Sequence, residues 1–146
     1  MVTTFGGDRV PGWYWAVAAI ALLWEAMGCY AYLTQVSMDS AALAQLPAEQ
    51  REIWAAMPAW AVGAYAVAVW AGLVGAVGLL LRRRWARPAF AVSLAAVVVQ
   101  FGWTFLATPI LTTMGASAAL FPAFILVVAA LLLWFASMAA KRGWLR

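Results

Sequence analysis

The sequence predicts an all-α fold: an integral membrane four-helix bundle with a short interfacial helix between spans 1 and 2. Its 146 residues are 68% hydrophobic and only 10% charged, whereas soluble domains carry about 25% charged residues. The hydrophobic residues form four runs, each long enough to cross a bilayer as a helix. The basic residues flank these runs, which is typical of membrane proteins because flanking charge sets their orientation.

A single transmembrane domain is predicted over residues 1–146, with prolines marking the helix boundaries. Pro11, Pro58 and Pro88 precede or open spans 1 to 3, since proline is tolerated in the first turn of a helix. Pro109 ends or kinks span 3 because it lacks the N–H that an interior helical residue donates. The predicted spans are 13–36, 58–81, 88–108 and 119–140.

The longest loop connects spans 1 and 2 and holds four of the charged side chains. Pro47 suits the first position of a helix, and Glu49 then lies in the first turn, where a negative charge complements the helix dipole. Trp54 and Met57 share one face of this segment. We therefore predict a short helix over 47–57 that lies on the bilayer surface.

The distribution of basic residues predicts the orientation of the chain. Four spans place the N-terminus, the Arg82–Arg87 turn and the C-terminal tail on one side, together with eight of the nine basic residues. The other side holds only Arg51. Because cytoplasmic loops are enriched in Lys and Arg, both termini are predicted in the cytoplasm and the protein in a bacterial inner membrane. The turn could also bind anionic lipid headgroups, although orientation alone explains its charge.

The composition argues against several classes of function. Cys29 is the single cysteine, so no internal disulfide can form. The chain has no histidine, and no metal, haem or other cofactor is expected. No nucleophile–base pair or phosphate-binding loop is recognisable, so the chain is not expected to be an enzyme. The net charge of +4 lies beside the spans, which makes lipid rather than nucleic acid the expected partner.

Small residues recur every four positions in span 2, at Ala64, Ala68, Gly72 and Ala76. Such ridges allow helix backbones to approach closely in lipid. The simplest interpretation is a packing seam between helices. The same ridge makes a homodimer plausible.

One acidic residue, Glu25, lies near the middle of span 1, where hydrocarbon penalises an ionised side chain by roughly 2.5–3.5 kcal/mol or more. Gln100 lies twelve residues after Pro88, which places it at a similar depth in span 3. Trp70 reaches mid-bilayer from the opposite face. These positions make Glu25 the starting point for any functional interpretation.

Span 3 carries a polar stripe that contains Ser93, Gln100, Thr104 and Thr108. Their spacings of seven, four and four residues place them on one helical face at 100° per residue. If this stripe faces span 1, Gln100 can hydrogen-bond Glu25, as polar groups in lipid require partners.

Two interpretations of this region remain open. In the first, Glu25 forms the base of a cavity that holds a small-molecule substrate, with aromatic faces that attract an apolar or cationic guest. The carboxyl group could then exchange a proton for the substrate. In the second, Glu25 and Gln100 only clasp two helices, and the protein is a non-transporting structural or accessory subunit. The predicted ligand-binding residues are Glu25, Tyr32, Tyr65, Trp70, Gln100, Trp103 and Thr104.

Several segments resemble a family of small, uncharacterised bacterial membrane proteins with four spans, which are loosely described as sugar transporters. The resemblance covers nearly the whole chain and implies four spans, but no motif supports the name. The matching segments are Leu46–Gln50, Met57–Trp60, Ala68–Gly72, Arg83–Pro88, Phe90–Leu94 and Lys141–Leu145.

A second resemblance involves two short elements. Trp24–Gly28 is similar to an element in the first span of small multidrug resistance exporters, and Ala64–Gly72 partly matches an element in their second span. In that family a first-span glutamate binds protons and cationic drugs alternately within a dimer. The resemblance therefore implies this role for Glu25.

Overall fold

A computed structural model describes residues 10–107 and 115–146, and all of its regular elements are helical. Four helices are long and apolar enough to cross a membrane, which confirms the predicted all-α four-helix membrane bundle. These are α1, α4, α5 and α6. In order, the elements are α1 (Gly12–Val36), α2 (Ser40–Ala44), α3 (Ala48–Ala56), α4 (Ala59–Leu80), α5 (Ala86–Ala107), a 3-10 turn (Ala116–Ala119) and α6 (Leu120–Lys141).

The helix boundaries differ from the predicted ones by a few residues. Pro47 and Pro58 precede their helices as capping residues instead of occupying the first helical position. α5 begins at Ala86, two residues before Pro88, because proline is tolerated within a first helical turn. The predicted end of span 3 and the effect of Pro109 lie outside the described residues.

The loop between α1 and α4 contains two short helices where one was predicted. α3 matches the segment predicted from Pro47, whereas α2 was not expected. Asp39 caps α2, because its carboxylate accepts a hydrogen bond from the backbone N–H of Ala42 at 2.8 Å. Aspartate is a favoured capping residue for this reason. The placement of α3 on the bilayer surface stays a prediction.

α4 lies at the centre of the packing, with α1 against one side and α5 against another, while α6 packs on α5. Small residues of α4, both in the ridge and beside it, make this possible. Gly75 contacts the ring of Phe90, and Gly78 contacts Trp85 and Ala86. Ala68, Gly72 and Ala76 are buried inside the chain, so the ridge is a packing seam. The possible homodimer stays a prediction.

One end of the bundle contains a cluster of buried aromatic rings. Tyr14 is fully buried, and its hydroxyl group donates a hydrogen bond to the carbonyl oxygen of Leu79 at 2.5 Å. Leu79 belongs to the last turn of α4, where carbonyl groups lack the usual i+4 partner, and its oxygen also accepts from the N–H of Arg82 at 3.1 Å. The Tyr14 ring stacks on Phe135 at 5.5 Å and meets Trp144 edge-on at 5.8 Å. This cluster joins α1, α4, α6 and the tail.

α4 and α6 end in the same hydrogen-bond pattern. After α6, Trp144 N–H donates to Ala139 and Gly143 N–H donates to Ala140, with Gly143 at a φ of 76°. This is a Schellman motif, in which glycine adopts the left-handed conformation without a steric penalty. After α4, Arg82 takes the equivalent position at a φ of 55°. A non-glycine residue there is strained, so its side chain must contribute something that glycine would not.

The tail folds back onto the turn that follows α4. Arg146 N–H donates to the carbonyl oxygen of Arg82 at 2.7 Å, and Arg84 N–H donates to that of Arg146 at 2.9 Å. The Arg82 side chain donates from Nε to the carbonyl oxygen of Trp144 at 2.8 Å. The turn and the tail therefore share one end of the bundle, as predicted. The cytoplasmic location of this end stays a prediction.

Candidate functional site

A cavity of about 360 Å³ lies between α1, α4, α5 and α6. Most of its wall is apolar. Glu25, Ser93 and Gln100 contribute polar groups to it, and all three side chains are buried in the described structure. Tyr65 adds a phenol ring from α4. A mainly apolar cavity with a few convergent polar groups is the usual form of a small-molecule binding site.

Glu25 belongs to the inward face of α1. The buried residues of this helix recur every three or four positions and place Glu25 between small side chains and Cys29, with only 8% of its surface exposed. Its carboxylate lies beside Gly72 of α4, where an added side-chain carbon would overlap both oxygens. The glycine therefore provides the space that the carboxylate occupies. The buried residues of α1 are Tyr14, Ala18, Ala21, Glu25 and Cys29.

The expected hydrogen bond between Glu25 and Gln100 is not present in the described residues. Both side chains line the same cavity, but α1 packs mainly on α4 and not on α5. The physical reason is the small-residue ridge, which lets α4 approach α1 so closely that Glu25 meets Gly72 first. The predicted polar clasp between spans 1 and 3 is therefore wrong in this form.

The described part of the polar stripe on α5 faces the interior. Ser93, Gln100 and Thr104 are all buried. Ser93 Oγ donates to the carbonyl oxygen of Ala68 at 2.6 Å, while Thr104 Oγ1 donates to that of Gln100 at 3.2 Å. Ser93 thus joins α5 to α4 at the cavity, and Thr104 lies one turn beyond the cavity lining. Thr108 lies outside the described residues.

Only part of the predicted aromatic lining surrounds the cavity. Tyr65 lines it, and Tyr32 packs behind Tyr65 with ring centroids 5.2 Å apart. Trp70 is 40% exposed and does not line the cavity. It is two positions from Ala68 and from Gly72, and this spacing places it on the opposite face of α4 from the ridge. Trp103 is half-buried and also lies outside the lining. The prediction that Tyr32, Trp70 and Trp103 line the cavity is corrected accordingly.

The sequence interpretation missed the contribution of α6. Phe121, Ile125 and Ala129 line the cavity from this helix, with a spacing of four residues that marks one helical face. No polar residue distinguished that face in a helix that is apolar all round. Trp24 of α1 also lines the cavity, and its ring meets Phe124 of α6 edge-on at 5.4 Å.

Among the described residues that line the cavity, the polar side chains supply hydrogen-bond acceptors and a carboxyl group, and none is basic. Glu25 can accept a hydrogen bond or a positive charge, and Gln100 can both donate and accept. Across residues 10–107 and 115–146, no group of three or more His, Cys, Asp or Glu side chains could hold a metal ion. The polar groups of the cavity can hydrogen-bond a donor or face a positive charge.

Cys29 makes a second contact between α1 and α4, one helical turn beyond Glu25. Its Sγ donates to the carbonyl oxygen of Val69 at 3.3 Å. This contact and the Ser93 hydrogen bond reach adjacent carbonyl groups of α4, those of Val69 and Ala68. Comparisons of the chain with protein-family models, with curated proteins and with solved structures found no match.

Proposed function

We propose that this integral membrane protein binds a small, mainly apolar organic molecule with a cationic end in the central cavity, and that binding serves its transport. The observation that carries the proposal is the buried carboxyl group of Glu25 in the wall of a 360 Å³ apolar cavity. Few protein chains place an acidic residue at mid-bilayer without a functional reason, because its burial is costly.

The shape and chemistry of the cavity define the class of guest. Apolar walls from α5 and α6 favour an aliphatic or aromatic body, and Tyr65 and Trp24 present aromatic surfaces to it. A cation beside an aromatic face gains about 2 kcal/mol when both are removed from water. Glu25 complements the positive end, and Gln100 can accept a hydrogen bond from it.

Proton exchange would couple such binding to transport. A cation bound beside Glu25 would favour the carboxylate over the neutral carboxyl group. A guest that arrives as a cation would thus displace the proton. The resemblance of the Trp24–Gly28 element to that of small multidrug resistance exporters supports the same role for this glutamate.

A matched pair of probes tests the proposal. N,N-dimethylbenzylamine is a cation at neutral pH, and isobutylbenzene has nearly the same shape without the charge. We would measure the binding of each by equilibrium dialysis against the protein in nanodiscs, with empty nanodiscs to subtract partitioning into lipid. The amine should bind at least about tenfold more tightly than the hydrocarbon, as expected for about 1.4 kcal/mol of added interaction.

Glu25→Gln should remove this preference while the binding of isobutylbenzene stays unchanged. Glu52→Gln provides the control, since this side chain is exposed on α3 and far along the chain from the cavity residues. If Glu25→Gln binds the amine as well as the parent protein does, the proposed role of Glu25 is excluded. Amine efflux from proteoliposomes with and without a pH gradient would then separate transport from simple binding.

An accessory role without transport is the second candidate. It is favoured by the hydrogen bonds from Ser93 and Cys29 to carbonyl groups of α4, which show that polar side chains in this region also join helices. On this alternative, the nanodisc experiment would show no preference for the amine. Glu25→Gln would then change the stability of the bundle and leave probe binding as it was.

A further inference from the structure

The end of the bundle formed by the α4–α5 turn and the C-terminal tail carries a dense positive charge. Seven basic residues occur within positions 78–90 and 138–146, and neither segment contains an acidic residue. Every one except Arg82, which is half-buried, exposes its side chain. They are Arg82, Arg83, Arg84, Arg87, Lys141, Arg142 and Arg146.

Specific hydrogen bonds hold the two basic segments together. Arg146 is bonded through its backbone to both Arg82 and Arg84, at 2.7 Å and 2.9 Å. The strained backbone of Arg82 places its side chain where Nε reaches the carbonyl oxygen of Trp144. The fold therefore brings these arginines to one end of the bundle, although like charges repel each other.

Aromatic residues surround this charge at the level expected for the membrane–water interface. The guanidinium group of Arg142 lies 5.3 Å from the ring centroid of Trp144. Trp13 and Trp85 are each about half exposed at the same end of the bundle. Tryptophan is enriched at the depth of lipid headgroups, which is where the phosphates of a bilayer lie.

We propose that this turn–tail junction binds the headgroups of anionic phospholipids, with Arg84, Arg142 and Arg146 as the principal contacts. Arginine suits a phosphodiester because its planar group donates two parallel hydrogen bonds. Residues from segments about 60 positions apart meet only because the tail is docked, so the docked tail completes the site. The site lies at the end of the bundle, apart from the mid-bilayer cavity, and does not depend on the proposed transport.

The proposal is tested with the full chain in a neutral detergent. We would titrate phosphatidylglycerol or phosphatidylcholine and follow the thermal midpoint of unfolding. A ligand that binds only the folded state raises this midpoint, and the size of the rise gives its apparent affinity. Phosphatidylglycerol should raise the midpoint and phosphatidylcholine should not. Each basic residue near an anionic lipid contributes about fivefold in affinity. The combined variant Arg84→Gln, Arg142→Gln and Arg146→Gln should therefore bind about a hundredfold more weakly.

Two controls separate a site from a diffuse attraction. Arg51→Gln removes a charge from the loop between α1 and α4 and should change the affinity less than twofold. Arg87→Gln removes a charge from α5 near the same end, and its effect should be smaller than that of Arg146→Gln. Equal effects of these two substitutions would mean diffuse attraction and would overturn the site.

Further outcomes bear on the identity of the ligand and on folding. Equal protection by phosphatidylcholine, or by the same concentration of inorganic phosphate, would contradict the assignment to anionic lipid. The three substituted side chains are exposed, but Arg84 Nε donates to the carbonyl oxygen of Leu145 at 3.5 Å and Arg142 lies over the Trp144 ring. The combined variant should therefore unfold somewhat below the parent midpoint without lipid, and lipid binding is compared as the rise above each variant's own midpoint. If the combined variant folds poorly, Arg146→Gln alone should show a loss of about fivefold, and no loss would refute the proposal.

Discussion

The carboxylate of Glu25 on α1 occupies the space that a side chain on Gly72 of α4 would fill. This relationship connects the helix packing to the candidate site. The close approach of α1 and α4 depends on Gly72, and the position of Glu25 in the cavity wall depends on the same approach. Substitutions at either residue should consequently affect the other.

The first prediction concerns Gly72→Ala. The added methyl group must displace the Glu25 carboxylate or separate the two helices, and overpacking of this kind costs about 1–3 kcal/mol of unfolding free energy. The effect should largely disappear in a Glu25→Ala background, because contacting residues are energetically coupled. Thermal unfolding of the two single variants and the double variant in detergent measures this coupling.

Gly63→Ala is the matched control for that cycle, since nothing lies within 4 Å of an added carbon at this position of α4. It should leave the midpoint unchanged or raise it slightly, because alanine has the higher helix propensity. An equal loss of stability from Gly72→Ala with and without Glu25 would show that the carboxylate does not lie beside the glycine.

The second prediction concerns the hydrogen bond between Tyr14 and Leu79. Tyr14→Phe keeps the ring in the aromatic cluster but removes the hydroxyl donor, so the bundle should lose about 1 kcal/mol of stability. Tyr30→Phe is the control, because Tyr30 is 72% exposed and should contribute little. Denaturation of both variants under the same conditions gives the comparison, and equal midpoints would argue against a bond that joins α1 to α4.

The third prediction concerns the orientation in the membrane. In a Cys29→Ser background, a cysteine introduced at Ser40 should react with a membrane-impermeant maleimide in intact cells. A cysteine at Trp85 should react only after lysis, because the basic turn is expected in the cytoplasm. The Cys29→Ser protein without an added cysteine gives the background signal. The reverse labelling pattern would place the basic turn outside the cell.

The four spans could be predicted because the signals that define them are local. Length and hydropathy identified α1 and α4, and the prolines before them located their starts within one or two residues. The ridge of small residues predicted close packing, which the contact of Gly72 with Glu25 confirms. These features require no knowledge of which helices are neighbours.

The candidate site was harder to predict because it depends on the arrangement of neighbouring helices. Equal depth suggested that Glu25 would meet Gln100, but depth does not determine which helix lies beside α1. The small-residue ridge determines that α4 is the neighbour of α1, because the Glu25 carboxylate fits beside Gly72. The α6 lining around Ile125 was missed for a related reason, since a uniformly apolar helix does not reveal which face turns inward.

The hydrogen bonds that join Tyr14 to Leu79 and Arg82 to Trp144 fasten the helices at the tail end of the bundle. The cavity lies beyond these hydrogen bonds, and there the Trp24 ring of α1 meets the Phe124 ring of α6 edge-on. Local opening of a protein occurs where few contacts must break. We therefore expect the helices to open locally about the tail end of the bundle, which stays fixed. The largest movements are expected at the end of the bundle opposite the tail.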